Sequence, residues 1–403
     1  MLNKIINTIF GNAFFAMSQL FLLVFISRNF SVEYMGLYSY VLAVSTIMFM
    51  ITNIGLRNVL ATDQCFEFDN SLYINSRFYL STFSFIILNV FFYFSMKNEI
   101  LLCIFIVFVK YIDSIQDIFI GFLHRKQQFS VMRSVNLIKS SFVFFAMFIA
   151  YDDNVGIEAI FVILSLFNII LLFSLALYTK FEFLSFNKVF NRFKILLMHS
   201  FPFALVGVLA SFNLNMPRFF IQDFLGFELL AVYTAMYQIV FFGSVIVLAF
   251  GQSILPHLTI LIQNKSYKCW VSLLIKSIFL ILLACIILNI IIFFYGIETM
   301  NFIFGDEIVF RKEHLFLFTI LGFLSYVLNI LTYAFQSLRN GSGLTKFSLA
   351  LTILHIISVP IFMGWYGLAG VIYATSIYYL ISAVLIIIFC RIIIRSKNED
   401  YPC

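Results

Sequence analysis

The chemistry this chain could perform is concentrated in one apolar stretch, VFVKYIDSIQDIFIGFLHRKQQF, residues 107–129. Lys110, Asp113, Asp117, Gly121 and His124 recur every three or four residues and Ser114 falls beside them, so a helix puts all of them on one face. An ammonium and two carboxylates on one face can hold an ion or a charged substrate, and the carboxylates, Asp113 and Asp117, are candidate carriers for a coupling ion. Lys110 and an aspartate could equally form an internal pair that only fixes packing. Lys110 lies about ten residues into the helix, roughly 15 Å deep at 1.5 Å per residue. A charge near a bilayer centre costs at least ~2.5 kcal/mol on insertion scales, so this face must meet protein or water.

Other polar stripes are weaker. Ser200, Ala204, Gly207, Ser211, Asn215, Arg218 and Gln222 share a helix face; the small residues suit close packing, whereas Arg218 could bind an anionic ligand. Arg218 sits about four residues from a span end and could also snorkel to the interface. Pro202 and Pro217 should bend or break this helix. Gly322, Ser325, Asn329, Thr332 and Gln336 form another stripe, suited either to a wet cavity or to hydrogen bonds between helices. Asn12 and Gln19 give a fainter one, and His355 reads best as a satisfied packing histidine. No GxxxxGK[ST] loop, HExxH pair, paired CxxC or nucleophile elbow occurs. No cofactor or metal is expected, and the placement of the six cysteines suggests no disulfide framework.

These stripes need long helices to carry them. Hydrophobic residues make up 63% of the 403 and charged ones 11%, with 55 phenylalanines. Soluble domains carry about 25% charge, so the composition excludes them and predicts a polytopic membrane protein. Twelve spans are expected, near 6–27, 35–56, 78–96, 100–121, 137–151, 157–178, 200–222, 229–253, 271–295, 315–336, 346–363 and 367–390, the fifth of them short. The first shows no cleavage site and should stay as a helix. With the N-terminus placed in the cytoplasm, most Lys and Arg fall in inner segments, such as Arg57 and Arg77, the loop with Arg125 and Lys126, and the tail with Arg391 and Arg395. This positive-inside pattern accounts for the net charge of +6 without nucleic acid, and puts both termini in the cytoplasm. Trp270 and Trp365 fall at expected interfaces. The largest outer loop, Gly296–His314, is too short for a catalytic domain.

The chain also repeats itself. SVEYMGLYSYVLAV (Ser31–Val44) is echoed by GFELLAVYTAMYQI (Gly226–Ile239), with Glu33 over Glu228, Gly36 over Ala231 and Tyr38 over Tyr233. Downstream, VGIEAIFVILSL from Val155 is echoed by YGLAGVIYATSI from Tyr366. Two repeats in the same order suggest a duplicated bundle. The expected division is an N-terminal six-helix bundle over 1–180, a cytoplasmic linker over 181–199, and a C-terminal six-helix bundle with a short tail over 200–403.

Taken together, SVEYMGLYSYVLAV, NIGLRNVLATDQ, LGFELLAVYTAMYQIV, AFGQSILPHLT and YGLAGVIYATSIYY give the chain a resemblance, over nearly its whole length, to the bacterial Wzx-type flippases within the multidrug/oligosaccharidyl-lipid/polysaccharide exporter superfamily. The resemblance implies a MATE-like, all-α fold of two pseudo-symmetric six-helix bundles around a central cavity. It implies translocation of undecaprenyl-diphosphate-linked oligosaccharide units, O-antigen or similar, to the outer leaflet of the bacterial cytoplasmic (inner) membrane. A glycan polymerase and a chain-length regulator are the implied protein partners. The GLR of Gly55–Arg57 carries over as a contact near the inner mouth. A diphosphate needs cations, which Lys110, Arg57 or Arg218 could supply, and sugars need hydrogen-bonding groups such as Asn215, Asn329 and Gln336.

Three alternatives stay open. A drug or metabolite exporter on the same fold would want an acidic, aromatic cavity, which Asp113 and Asp117 fit and Lys110 does not. A membrane glycan polymerase or ligase usually needs a sizeable external loop. A peptidoglycan-precursor flippase is expected to have two further helices. Nothing points to ATP use; ion-coupled alternating access is the expected mechanism.

Overall fold

A computed structural model describes residues 2–57, 60, 70–151, 155–179, 186–338 and 342–399, all helical apart from short turns. Six long helices open the chain among the described residues: α1 (Leu2–Asn29), α2 (Val32–Asn53), α3 (Asn70–Ser95), α4 (Ile100–Arg125), α5 (Phe129–Ile149) and α6 (Ile157–Thr179). The stretch Phe186–Gln263 is two helices meeting at Gly226, whose φ of 85° and ψ of 176° are not helical. These are α7 (186–225) and α8 (227–263). There follow α9 (Tyr267–Phe304), α10 (Lys312–Ser337), α11 (Ser342–Tyr366) and α12 (Leu368–Glu399). No strand occurs among the described residues.

Ten described segments are long and apolar enough to cross a membrane, and one of them, Gly207–Gln263, holds both α7 and α8. α4 falls outside this set. Lys110, Asp113 and Asp117 lie in every 18-residue window of it, and such a window admits at most two charges. With α4 included, the spans among the described residues number twelve, as expected from the sequence. Phe94, Phe148, Leu177, Ile246 and Phe302 are largely exposed. An apolar surface of this extent belongs in lipid, where it needs no cover. The chain is an all-helical, multi-pass membrane protein.

Three expectations are corrected. α5 is a full 21-residue helix, because its polar first half (Arg133, Asn136, Lys139) packs on α1 and α4 instead of forming a loop. Gly296–His314 is mostly not a loop: α9 continues to Phe304, with Met300 and Phe304 buried, and ends at Gly305 at φ 95°. The backbone of Phe186–Gln263 leaves the helical region at Gly226, so neither Pro202 nor Pro217 breaks the helix. A chain can run helically through proline where neighbours satisfy the freed carbonyl, whereas φ 85° with ψ 176° is accessible almost solely to glycine. Of the expected linker 181–199, residues up to 185 lie outside the described residues, and the rest is helical as the start of α7.

The chain divides into two compact units, 1–219 and 220–403. In the first, α4 is the hub and touches α2, α3, α5 and α6, while α1 packs along α5. In the second, α10 packs on α9 and α12, and α11 on α12. The first repeated motif opens a helix in each case. Ser31 caps α2 by accepting a hydrogen bond from the Tyr34 N–H, 3.3 Å, and Gly226 opens α8. Tyr38 and Tyr233 are both buried, packed edge-on or tilted against Phe161 and Phe318 with ring centroids 5.4 and 5.3 Å apart. The shared residues are therefore packing positions, one set within each unit.

Candidate functional site

The first unit holds a cavity of about 410 Å³ lined by Arg57, Arg77, Lys110, Asp113, Ser114 and Asp117, with apolar and small walls from α2 and α7. That volume lies within the roughly 300–1,000 Å³ of ligand pockets. The helix face read from the sequence, Lys110 through Gly121, is its central wall. The rise of α4 places Lys110, Asp113 and Asp117 in successive turns, so the cavity runs alongside the middle of a span.

Arg57 reaches the cavity because α2 ends abruptly. Ile54 and Gly55 both adopt left-handed backbone, φ 49° and 65°, which turns the chain back on itself. Leu56 and Leu60 are then buried in a core with Ile115, Phe119, Phe122 and Leu123, and this anchors the turn. Gly121 leaves the gap into which Arg57 fits: a Cβ there would stand 3.0 Å from Arg57 Cγ and 3.5 Å from its Cα. The Arg57 Nη1 donates to Asp117 Oδ1 at 2.6 Å.

Asp113 is held differently. Lys139 Nζ of α5 donates to its Oδ1 at 2.8 Å, and Lys110 Nζ lies 4.0 Å from its Oδ2. Lys139 is buried, and its partner is what permits an ammonium there. Lys110, Asp113 and Lys139 also line a second chamber of about 30 Å³, together with Gln19, Tyr38 and Asn168. Arg77 comes from α3. It is 3% exposed, and its Nε donates to the Ser114 carbonyl at 2.8 Å. Ser81 and Ser114 hydroxyls pair at 2.8 Å, as do Thr52 and Ser84, so α3 is stitched to α4 and α2 by polar bonds.

The structure brings together Lys110, Asp113, Asp117 and Arg57 from the sequence candidates. Asn215 and Arg218, in the same unit, are not among the residues that line this cavity. Arg218 Nη1 donates to Asn215 Oδ1 at 3.1 Å, and Asn215 is buried with its amide bonded to the Ser211 carbonyl at 2.9 Å. Asn329 and Gln336 belong to the second unit, the former half-buried and the latter exposed. Trp270, expected at an interface, is buried and donates to Ser337 Oγ at 3.1 Å, while Trp365 is exposed.

Sequence reasoning counted Arg77 only among the charges of the inner segments and did not single out Lys139. A signal for Arg77 existed: Arg77, Ser81 and Ser84 fall at i, i+4 and i+7, a polar face leading into the span. Lys139 had a fainter one in Asn136, three residues before it, which pairs with Asn12 at 2.9 Å. At the site the cations Arg57, Arg77, Lys110 and Lys139 outnumber the carboxylates Asp113 and Asp117. The arrangement suits an anion with more than one negative charge.

No family model matches the chain. It is 21% identical over 361 residues to the capsular polysaccharide biosynthesis protein CapF of Staphylococcus aureus, covering 88% of this chain and 89% of that protein. Its fold is that of solved MATE-type transporters. A multidrug resistance MATE family transporter of the MOP superfamily in its inward-facing conformation superposes with a TM-score of 0.71 at 15% identity, over 96% of each chain. The outward-facing conformation of such a transporter gives 0.64 at 14% identity, over 99% of this chain and 96% of that one. A MOP superfamily transporter from Pyrococcus furiosus, described as having a binding pocket of reverse polarity, gives 0.66 at 14% identity, over 100% and 96%.

Proposed function

We propose that this protein is a transporter that moves an anionic, lipid-linked oligosaccharide from the inner to the outer leaflet of a bacterial cytoplasmic membrane. The cargo class is a polyprenyl-diphosphate-linked glycan unit, as the Wzx-type resemblance implies. The observation that carries the reading is the cation excess in a cavity beside the middle of α4. Lys110 and Arg57 are assigned to the diphosphate. The polyprenyl tail stays in lipid, which the exposed apolar surface of the helices already contacts. Similarity to a capsular polysaccharide biosynthesis protein supports a glycan cargo, and the MATE-type fold supports transport over glycan polymerisation.

A multidrug exporter is the reading that the MATE neighbours alone would favour. Cationic drugs require carboxylates in excess, whereas here each carboxylate is held by a cation, Asp117 by Arg57 and Asp113 by Lys139. Movement follows alternating access, driven by an ion gradient through Asp113 or Asp117. Transport that persists unchanged in vesicles after proton and sodium gradients are collapsed contradicts this coupling.

The reading is tested in cells lacking the protein. It expects single lipid-linked glycan units to collect on the cytoplasmic face and surface polysaccharide to be lost. Single units that reach the outer face and never elongate would indicate a polymerase. Unchanged surface glycan with new drug sensitivity would indicate a drug exporter.

A further inference from the structure

Arg77 is held at one end only. Its Nε donates to the Ser114 carbonyl, while its Nη1 is buried and has no hydrogen-bond partner among the described residues. A buried charged donor without a partner is a standing cost that calls for an explanation. The charges that act on this guanidinium are those of Asp117 and Arg57. Asp117 lies three residues after Ser114, one turn along the same face of α4, so it stands about a turn from the carbonyl that anchors Arg77. At present its carboxylate is committed to Arg57. The two guanidiniums differ in access: the Arg57 side chain is 41% exposed, and Arg77 is sealed.

Among the described residues Asp117 makes an ion pair with Arg57 and none with Arg77, so a shift of its carboxylate onto Arg77 gives up the contact with Arg57. We propose that Arg77 is a positioning residue that acts through Asp117: when an anion takes Arg57, the Asp117 carboxylate passes from Arg57 to the unpaired Nη1 of Arg77. In the empty cavity Asp117 neutralises the accessible cation. In the filled cavity the anion neutralises Arg57, and Asp117 completes the hydrogen bonding of Arg77. The exchange moves no proton and changes no net charge beyond that of the anion. It also withdraws a carboxylate that would otherwise repel the cargo. Asp117 thus acts as a resident counter-ion that Arg77 stores while cargo is bound. The proposal rests on the reading of this cavity as an anion site.

The test is a double-mutant cycle on the full chain in detergent, with inorganic pyrophosphate as the probe and its affinity read by titration calorimetry. R77Q should weaken binding about tenfold while Asp117 is present, equivalent to ~1.4 kcal/mol. In D117N, Arg57 is free from the start, and adding R77Q should change affinity less than about twofold. R77K, which keeps the charge with a single donor group, should give an intermediate loss that also disappears in D117N; it carries the cycle if R77Q does not elute as a folded species. An equal loss in both backgrounds would mean that Arg77 touches the anion or merely supports the fold, and would overturn the proposal. So would an R77Q protein that binds as tightly as the wild type. If wild type fails to bind pyrophosphate, or binds it unchanged in R57Q, the anion-site reading itself falls and the exchange with it.

Discussion

Lys139 and Lys110 sit either side of Asp113 and have different tasks. Lys139 is buried and close, so its removal strands a carboxylate of which 24% of the side chain is exposed. Lys139→Met should cost about 2–4 kcal/mol, and the double change Lys139→Met with Asp113→Leu should recover most of it, because a buried pair is often replaceable by apolar groups as a whole. Thermal unfolding in detergent reads both. Lys110 lies at the outer limit of an ion pair and faces the larger cavity. Lys110→Gln should lower pyrophosphate affinity about tenfold or more, and Lys110→Arg should retain most of it; full affinity in Lys110→Gln would remove Lys110 from the anion site. At this scale the sequence exposed charges placed deep within one span, since α4 interrupts an apolar run with three of them. It concealed Arg77 and Lys139, which fall at the ends of the expected spans 78–96 and 137–151, where positive charge is expected for topological reasons alone, although Lys139 is in fact the middle residue of α5. Arg218 and Asn215 make a local i, i+3 hydrogen bond, a contact that spacing alone does not reveal.

The helices hold these residues in place through close approaches that tolerate substitution unequally. A Cβ on Gly121 presses on the Arg57 backbone as well as its Cγ, whereas one on Gly207 meets only the terminal methyl of Met50. Gly121→Ala should therefore weaken pyrophosphate binding severalfold by displacing Arg57, and Gly207→Ala should leave it nearly unchanged; equal effects in the titration would contradict this account of the turn after α2. Gly226 is constrained by its own backbone. Alanine there must enter a conformation open almost only to glycine, at a cost of about 1–3 kcal/mol, visible as a lowered unfolding temperature. Existence of most helices was legible because hydropathy decides it, and α4 stood out as an apolar run interrupted by charge. Their ends were less so. α5 begins eight residues earlier than its apolar run, since polar residues of Phe129–Lys139 are paid for by partners on other helices that no local window can see.

For the whole molecule, the charge distribution and the fold make a joint claim about orientation. With the N-terminus in the cytoplasm, the turn between α3 and α4 faces outward and that between α4 and α5 inward. In a chain whose native cysteines are replaced, Lys97→Cys should react with an impermeant thiol reagent in intact spheroplasts and Lys126→Cys only after the membrane is opened; the reverse pattern would invert the topology. The duplication was readable from two motifs because their order is preserved, and each copy falls in its own compact unit. The charge balance of the cavity was not readable from α4 alone. It depends on Arg57 and Arg77, far from α4 in sequence, which bring more positive than negative charge to one place within the first unit. The most direct measurement uses the purified protein reconstituted in sealed vesicles with a fluorescent polyprenyl-diphosphate oligosaccharide, whose inner and outer pools are separated by an impermeant quencher. The account predicts exchange between leaflets that depends on the protein and falls about tenfold or more in Lys110→Gln. Exchange no faster than in empty vesicles, or equally fast for a neutral lipid-linked glycan and in Lys110→Gln, would contradict it.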